Sequence, residues 1–445
     1  MPRSPVALLI ALSATLFAAF TLNTGASLQS SLLALRASAE GFAPIYTGII
    51  MASYYAGFIG GIIWGAGLVN RVGHIRTFAA LASTGSAITL LHAVFVDPLT
   101  WSLFRAMTGL CVSALYLVIE SWLNEQVDNK SRGSMIAAYM TVSLAGLAIG
   151  QLLLNVSPIR SFELFTLASV LLSLSLVPIA LTRQPPPAAV SGERMKFRRL
   201  YSISPLGFVA AAGSGFLSGA IYGVGPIFAA ELGLATNDVA SFMAFVIFGG
   251  MIMQWPIGRL SDIVPRQYVM IAVLIGLAIS GAFPLIAPEI VRNNLTIWGG
   301  IIGVFIMPIY GLSVAYVNDY LEPDQIVSAS GGLLIIYGAT AAPGQSSGHL
   351  PLAISDHGPC RYCFRLSAYW SEALRYIAQA LAVASQSRSR GISLPCRGQP
   401  LWHLKCPRSR MTLLKRLMAV NLLLVIGPVI LPIQKQKPVT RKPAI

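Results

Sequence analysis

The sequence predicts an all-α membrane protein, two six-helix bundles related by pseudo-symmetry with the twelfth helix absent or aberrant. Three observations carry that reading. The 445 residues are 55% hydrophobic and 11% charged, with mean hydropathy +0.70, where a soluble domain carries roughly 25% charged residues. Apolar runs of about eighteen or more residues recur throughout, far more often than the core of a soluble domain requires. Two charged, glycine-containing connectors, AGLVNRVGHIR from Ala66 and GRLSDIVPRQY from Gly258, lie 192 residues apart, each between apolar runs. A connector recurring at half-chain distance marks an internal repeat. Membrane strands would instead alternate in segments of about ten residues.

The first apolar run, 6–28, follows Arg3 and exceeds a signal peptide's h-region of about 7–15 residues, so it reads as an uncleaved span. Spans at 45–69, 77–96, 99–123, 134–156 and 162–182 complete an N-terminal bundle over 1–182. Residues 183–204 are polar, proline-rich and basic, and read as a cytoplasmic linker. The C-terminal bundle, 205–344, has five clear spans: 205–230, 239–260, 268–288, 295–317 and 326–344. The apolar run Leu417–Ile433 is a poor twelfth, being short, interrupted by Pro428 and Pro432, and 72 residues beyond Gly344.

The net charge of +15 is unevenly placed, at +2 for residues 1–344 and +13 for 345–445. The second stretch also holds four of the five cysteines, Cys360, Cys363, Cys396 and Cys406. Rich in Ser, Arg and Pro and almost free of acids, this tail reads as frameshifted or disordered. Cys360 and Cys363 with His403 and Cys406 lack the tight second pair of a zinc site. No reader domain or aromatic platform points to nucleic acid. No cofactor and no metal are expected.

Lys and Arg fix the orientation. With the N-terminus in the cytoplasm, twelve basic residues of the body lie inside and Arg36, Arg160 and Arg292 lie outside. The expected surroundings are membrane lipids. In the first connector Gly73 permits a tight turn, and Arg71 and Arg76 suit both a helix C-terminus and the inner headgroups.

The connectors resemble the signature G-x-L-x-D-R-x-G-R-x-R of the major facilitator superfamily, found between its second and third helices. The first copy matches at Leu68, Arg71 and Gly73, with Ala66 for the first glycine and Asn70 for the aspartate. The second matches at Gly258, Leu260 and Asp262, followed by Arg266, with Ile263 and Pro265 for the arginine and glycine. The resemblance implies a latch of the cytoplasmic gate made by Asn70, Arg71, Gly73 and Arg76 and by Gly258, Asp262 and Arg266. Asn70 forms no ion pair, which leaves Glu125 or Asp128 as the acid for Arg71 or Arg76. The segments LYLVIESWLNE, RGSMIAAYMTVSLAGLAIGQLLL and FGGMIMQWPIGRLSD are similar to the YcaD-type branch of bacterial inner-membrane permeases. That resemblance covers roughly 6–344 and implies transport of a small-molecule solute driven by a proton or other ion gradient.

Arg105, followed by Gly109, resembles the family antiporters' R-x-x-x-G element, whose arginine serves substrate or proton coupling. An intramembrane arginine is costly unless it faces water or an acid; the alternative is snorkelling to the outer headgroups. Glu120 is a candidate proton-titrating carboxylate, or an interfacial acid at the end of the fourth span. It lies fifteen residues beyond Arg105, roughly 22 Å along a helix. Asn23, Tyr54, Tyr139, Gln151, Tyr222, Gln254 and Tyr310 are candidate cavity-lining groups from both halves, each singly more ordinary as helix–helix glue. Gly146 and Gly150 match the antiporter element of the fifth span, but Gln151 replaces its proline. His74 and His92 fall at a loop and a helix end, where solvated histidines are ordinary. Nothing resembles a catalytic triad, a metalloprotease helix or a P-loop, so an enzyme is not expected. The reading is a secondary transporter working by alternating access. The rivals are a non-transporting protein on the same fold and a product disabled by its aberrant C-terminus.

Overall fold

The computed structural model describes residues 5–125, 132–181, 195–232, 234–322 and 325–347, and among them every regular element is helical. The long helices are α1 (Pro5–Ala39), α2 (Pro44–Val72), α3 (His74–Val94), α4 (Pro98–Glu125), α5 (Arg132–Leu152) and α6 (Glu163–Leu174). They continue with α7 (Pro205–Glu231), α8 (Thr236–Ile263), α9 (Arg266–Ile286), α10 (Leu295–Asn318) and α11 (Ile326–Ser347). Among the described residues, nine helical stretches are long and apolar enough to cross a membrane.

Local chemistry sets several boundaries. Proline occupies the first turn of α2 and α7, where its missing N–H costs nothing. Asp97 caps α4, its Oδ2 accepting from the Thr100 amide at 2.9 Å and the Thr100 hydroxyl at 3.0 Å; these bonds hold its carboxyl below the usual carboxylate range. The turn between α2 and α3 is made at Gly73, with φ 92° and ψ 158°, a region in which only glycine is at ease. The buried Trp101 ring nitrogen donates to the carbonyls of His92 and Phe95 at 3.0 and 2.7 Å, stapling the end of α3 to α4.

Three expected boundaries move. α1 runs eleven residues past the expected end at Leu28, because Arg36 pairs with Glu40 at 2.7 Å and the chain turns only at Gly41, φ 77°. The linker is not wholly irregular: Phe197–Ile203 is a short helix, and buried Leu200 packs on Gly332 of α11. α11 passes Gly344 to Ser347, with Gln345 buried against Gly223 of α7. The remainder of the tail, with Leu417–Ile433 and its four cysteines, lies outside the described residues.

The two halves use one packing scheme. α1 packs on α5 and α2 on α4; correspondingly α7 packs on α11 and α8 on α10. The closest approaches are backbone to backbone, and they repeat at the connectors' own spacing. In α2–α4, Gly57 lies on the Ala106 carbonyl and Gly109 on the Tyr54 carbonyl. In α8–α10, Gly249 lies on the Gly300 carbonyl and Gly303 on the Val246 carbonyl. Tyr54 and Val246, like Gly57 and Gly249, are 192 residues apart.

Contacts between the halves gather near one end. Ala34, Met51 and Ile227 form one buried cluster, and Tyr55 and Phe58 pack with Ala341 in another. The turn after α5 (Leu153–Asn155) lies against α8. At the opposite end, where the two connectors lie, Trp64, Leu68 and Val72 of α2 and Trp255, Leu260 and Ile263 of α8 are exposed.

A side chain at Gly303 meets backbone that has no room to yield, whereas Gly67 has nothing within 4 Å of an added Cβ. Gly303→Leu is expected to abolish folded protein in fluorescence-detected size-exclusion chromatography, while Gly67→Ala stays within about twofold of the parent.

Candidate functional site

The Arg105 side chain leaves α4 inward and is 2% exposed. Its guanidinium sits 4.5 Å over the Tyr54 ring of α2, and Nη2 donates to Ser30 Oγ of α1 at 2.9 Å. One cation thus ties three helices through a π face and a hydroxyl. This burial is incompatible with snorkelling to headgroups. Desolvation strengthens such a cation–π contact to about 2 kcal/mol.

Glu120, near the other end of α4, is exposed at the protein surface and hydrogen-bonded to the Tyr139 hydroxyl of α5. It lies within electrostatic reach of Tyr116 on its own helix and of Tyr310 on α10, in the other half. An exposed carboxylate within electrostatic reach of tyrosines of both halves belongs to the face between them.

The wall of that space is phenolic. Tyr54, Tyr116, Tyr222, Tyr310 and Tyr337 are each half-buried. Tyr337 of α11 stands 5.0 Å from the Tyr310 ring and 6.4 Å from the Tyr55 ring of α2. Its hydroxyl is hydrogen-bonded with Tyr55 and with Ser218 of α7. The Tyr116 hydroxyl donates to Asn23 Oδ1 of α1 at 2.7 Å, and Asn23 Nδ2 donates to the Ala19 carbonyl. The Tyr222 hydroxyl meets Met307 Sδ at 3.7 Å.

Of the residues singled out from sequence, Arg105, Tyr54, Asn23, Glu120, Tyr139, Tyr222 and Tyr310 join this constellation. Gln151 does not: it is 1% exposed, and its amide is spent on Ser27 and Ser31 of α1, both at 2.6 Å. It fastens α5 to α1. Gln254 packs toward Gly311 of α10. Tyr55, Tyr116 and Tyr337 were not anticipated. Tyr116 precedes Glu120 by four residues, the spacing that puts two side chains on one helix face.

His74 and His92 are buried, contrary to the solvated positions expected. α3 begins at His74 itself, whose ring lies 6.1 Å from buried Trp122. The His92 ring is enclosed by Trp101, Phe104 and Phe165 at 6.0, 5.3 and 6.5 Å, and its Nδ1 is 2.8 Å from the Ile88 carbonyl. The aromatic residues across α4 and α6 close over it.

The two connectors differ. In the first, Asn70, Arg71, Gly73 and Arg76 are exposed, while Asp128 and the Glu125 side chain lie outside the described residues. In the second, Arg266 pairs with Asp262 at 2.9 Å and with Asp319 at the end of α10 at 3.2 Å, and also donates to the Ala315 carbonyl. Half-buried Gly258 lies one turn earlier and leaves open space around its Cα.

A family model described as Major Facilitator Superfamily matches residues 15–344. A curated relative, an uncharacterized MFS-type transporter of Yersinia pestis (strain Pestoides F), is 27% identical over 320 residues, covering 67% of this chain and 78% of that protein. The uncharacterized MFS-type transporter YcaD of Escherichia fergusonii is 25% identical over 298 residues, covering 65% and 75%. Among solved structures, the nucleoside transporter NupG superposes with TM-score 0.67 at 12% identity, over 83% of this chain and 98% of that one. A bacterial homologue of the human lysosomal transporter Spinster, inward-facing and occupied, gives 0.65 at 14% identity, over 89% and 100%. At such identities these structures speak for the fold.

Replacing Tyr54 by leucine removes the π face beneath Arg105. Tyr54→Leu is expected to cost about 1–2 kcal/mol, seen as a lower Tm of the purified protein, whereas Tyr54→Phe stays near the parent value.

Proposed function

We propose that this chain, which belongs to the Major Facilitator Superfamily and its YcaD-like branch, is a proton-coupled secondary transporter of a small polar or amphipathic solute. The observation that supports the proton coupling is Glu120, an exposed carboxylate hydrogen-bonded to Tyr139 and within electrostatic reach of tyrosines of both halves. Such a group takes up a proton in one orientation of the cavity and releases it in the other. Residues 1–182 and 205–344 are the two bundles that rock about the cavity, and 183–204 joins them. With the N-terminus in the cytoplasm, as the distribution of Lys and Arg favours, the contacts between halves lie at the outer end. The cavity is then open inward, and the membrane is the bacterial inner membrane.

Arg105 is a positioning residue in this scheme. By gripping Ser30 and Tyr54 it holds α1, α2 and α4 as one wall while the opposite half moves. The connectors act at the inner end, where the Arg266 pairs hold α8, α9 and α10 together and the exposed Arg71 and Arg76 meet acids or headgroups as the gate closes.

The test uses inverted membrane vesicles carrying a pH-sensitive dye, challenged with a panel of solutes. Arg105→Ala is expected to insert at parental levels yet lose solute-dependent proton flux by at least about tenfold, the scale of a lost desolvated contact. Unchanged flux would reduce Arg105 to an anchor. Glu120→Gln should lose proton flux but keep solute counterflow; proton flux that survives in this variant moves the coupling elsewhere.

A further inference from the structure

We propose that the short helix of the linker, Phe197–Ile203, together with Lys196 before it, binds anionic phospholipid of the inner leaflet. Its cations meet the phosphates, and Phe197 enters the headgroup layer. The site stands apart from the solute cavity and does not rest on the transport reading.

The run Met195-Lys196-Phe197-Arg198-Arg199-Leu200 divides sharply by exposure. Met195 and Leu200, at its ends, are buried, and the four residues between them are exposed, Phe197 at 48%. Among the described residues, no ion pair or hydrogen bond engages the side chains of Lys196, Arg198 or Arg199. The segment is held in place and does not trail. The Met195 amide donates to the Ser328 carbonyl of α11 at 3.1 Å, and Leu200 sits on Gly332 one turn further along α11. The Tyr201 ring stands edge-on to Phe208 of α7 at 5.4 Å. Met195 and Leu200 share one buried cluster with Ala211 and Ala212 of α7 and Ala329 and Leu333 of α11. Three unpaired cations are thus fixed on a built support, and a ligand that meets them has little chain left to order.

The place of the patch favours lipid. The linker joins α6 to α7, at the end of the bundle that also carries both connectors. The helix ends at Ile203 and the span α7 begins at Pro205, so the patch stands at the mouth of a span. At the same end of α8, Trp255 is 65% exposed with Arg259 5.3 Å over its ring, the pairing of ring and cation that collects at a membrane interface. Each cation close to an anionic leaflet strengthens attachment by about fivefold. An exposed phenylalanine beside the cations gains burial in the headgroup layer. An acidic protein would match the charge but offers Phe197 no such layer. Lipid held here braces α11 against α7 through Leu200 and Met195.

Thermal unfolding of the purified full-length protein in detergent tests this, with phosphatidylglycerol, phosphatidylcholine of the same acyl chains, or poly-glutamate titrated in. Phosphatidylglycerol is expected to raise Tm at a concentration about tenfold or more below that needed of phosphatidylcholine, an advantage that shrinks in high salt. Lys196→Gln, Arg198→Gln and Arg199→Gln should each reduce the advantage by about fivefold, and the triple variant should erase it. Arg198→Lys combined with Arg199→Lys keeps it, and Phe197→Ser weakens the response to both lipids. Equal action of the two lipids on the parent overturns the proposal, as does an advantage that survives the triple variant. Poly-glutamate as effective as phosphatidylglycerol overturns it too, and assigns the patch to an acidic protein. The lipid comparison and its salt dependence are read on the parent, and the single variants decide if the triple one fails to accumulate.

Discussion

Everything in this molecule depends on helices approaching until backbone meets backbone. Lipid offers helices no hydrophobic reason to associate, so close packing and interhelical hydrogen bonds must supply it. Here α2 meets α4, and α8 meets α10, at glycines seated directly on the carbonyls of the facing helix. Those crossings set the inner surfaces on which the tyrosines stand. They also bring Tyr54, whose carbonyl receives Gly109, under the Arg105 guanidinium. Packing and site are thus made by the same residues.

The repeat explains why the fold was legible. Long apolar runs announce spans, and two charged connectors at a fixed offset announce duplication. The same offset of 192 residues relates Tyr54 to Val246 and Gly57 to Gly249 at the crossings, so the duplication reaches into the packing. Boundaries were harder. α1 continues past Leu28 because an ion pair, Arg36–Glu40, closes its last turn, and that partnership cannot be read from hydropathy.

The site was half legible. Arg105 and Glu120 stand out because charge is rare in such a body. The tyrosines split: Tyr54, Tyr139, Tyr222 and Tyr310 were candidates, whereas Tyr55, Tyr116 and Tyr337 passed as filler. A helix apolar on all sides carries little signal of which face turns inward, so sequence gives depth without azimuth. Gln151 and His92 went astray for the same reason. An amide at cavity depth is spent on Ser27 and Ser31, and a histidine near a helix end lies beneath Trp101, Phe104 and Phe165.

The exposed carboxylate of Glu120 also bears on what powers the proposed cycle. Each proton carried inward with a neutral solute moves one charge across the membrane. The transmembrane voltage, worth about 2.3 kcal/mol per charge per 100 mV, then adds to the pH difference in driving such a cycle, and a charge on the solute changes that sum.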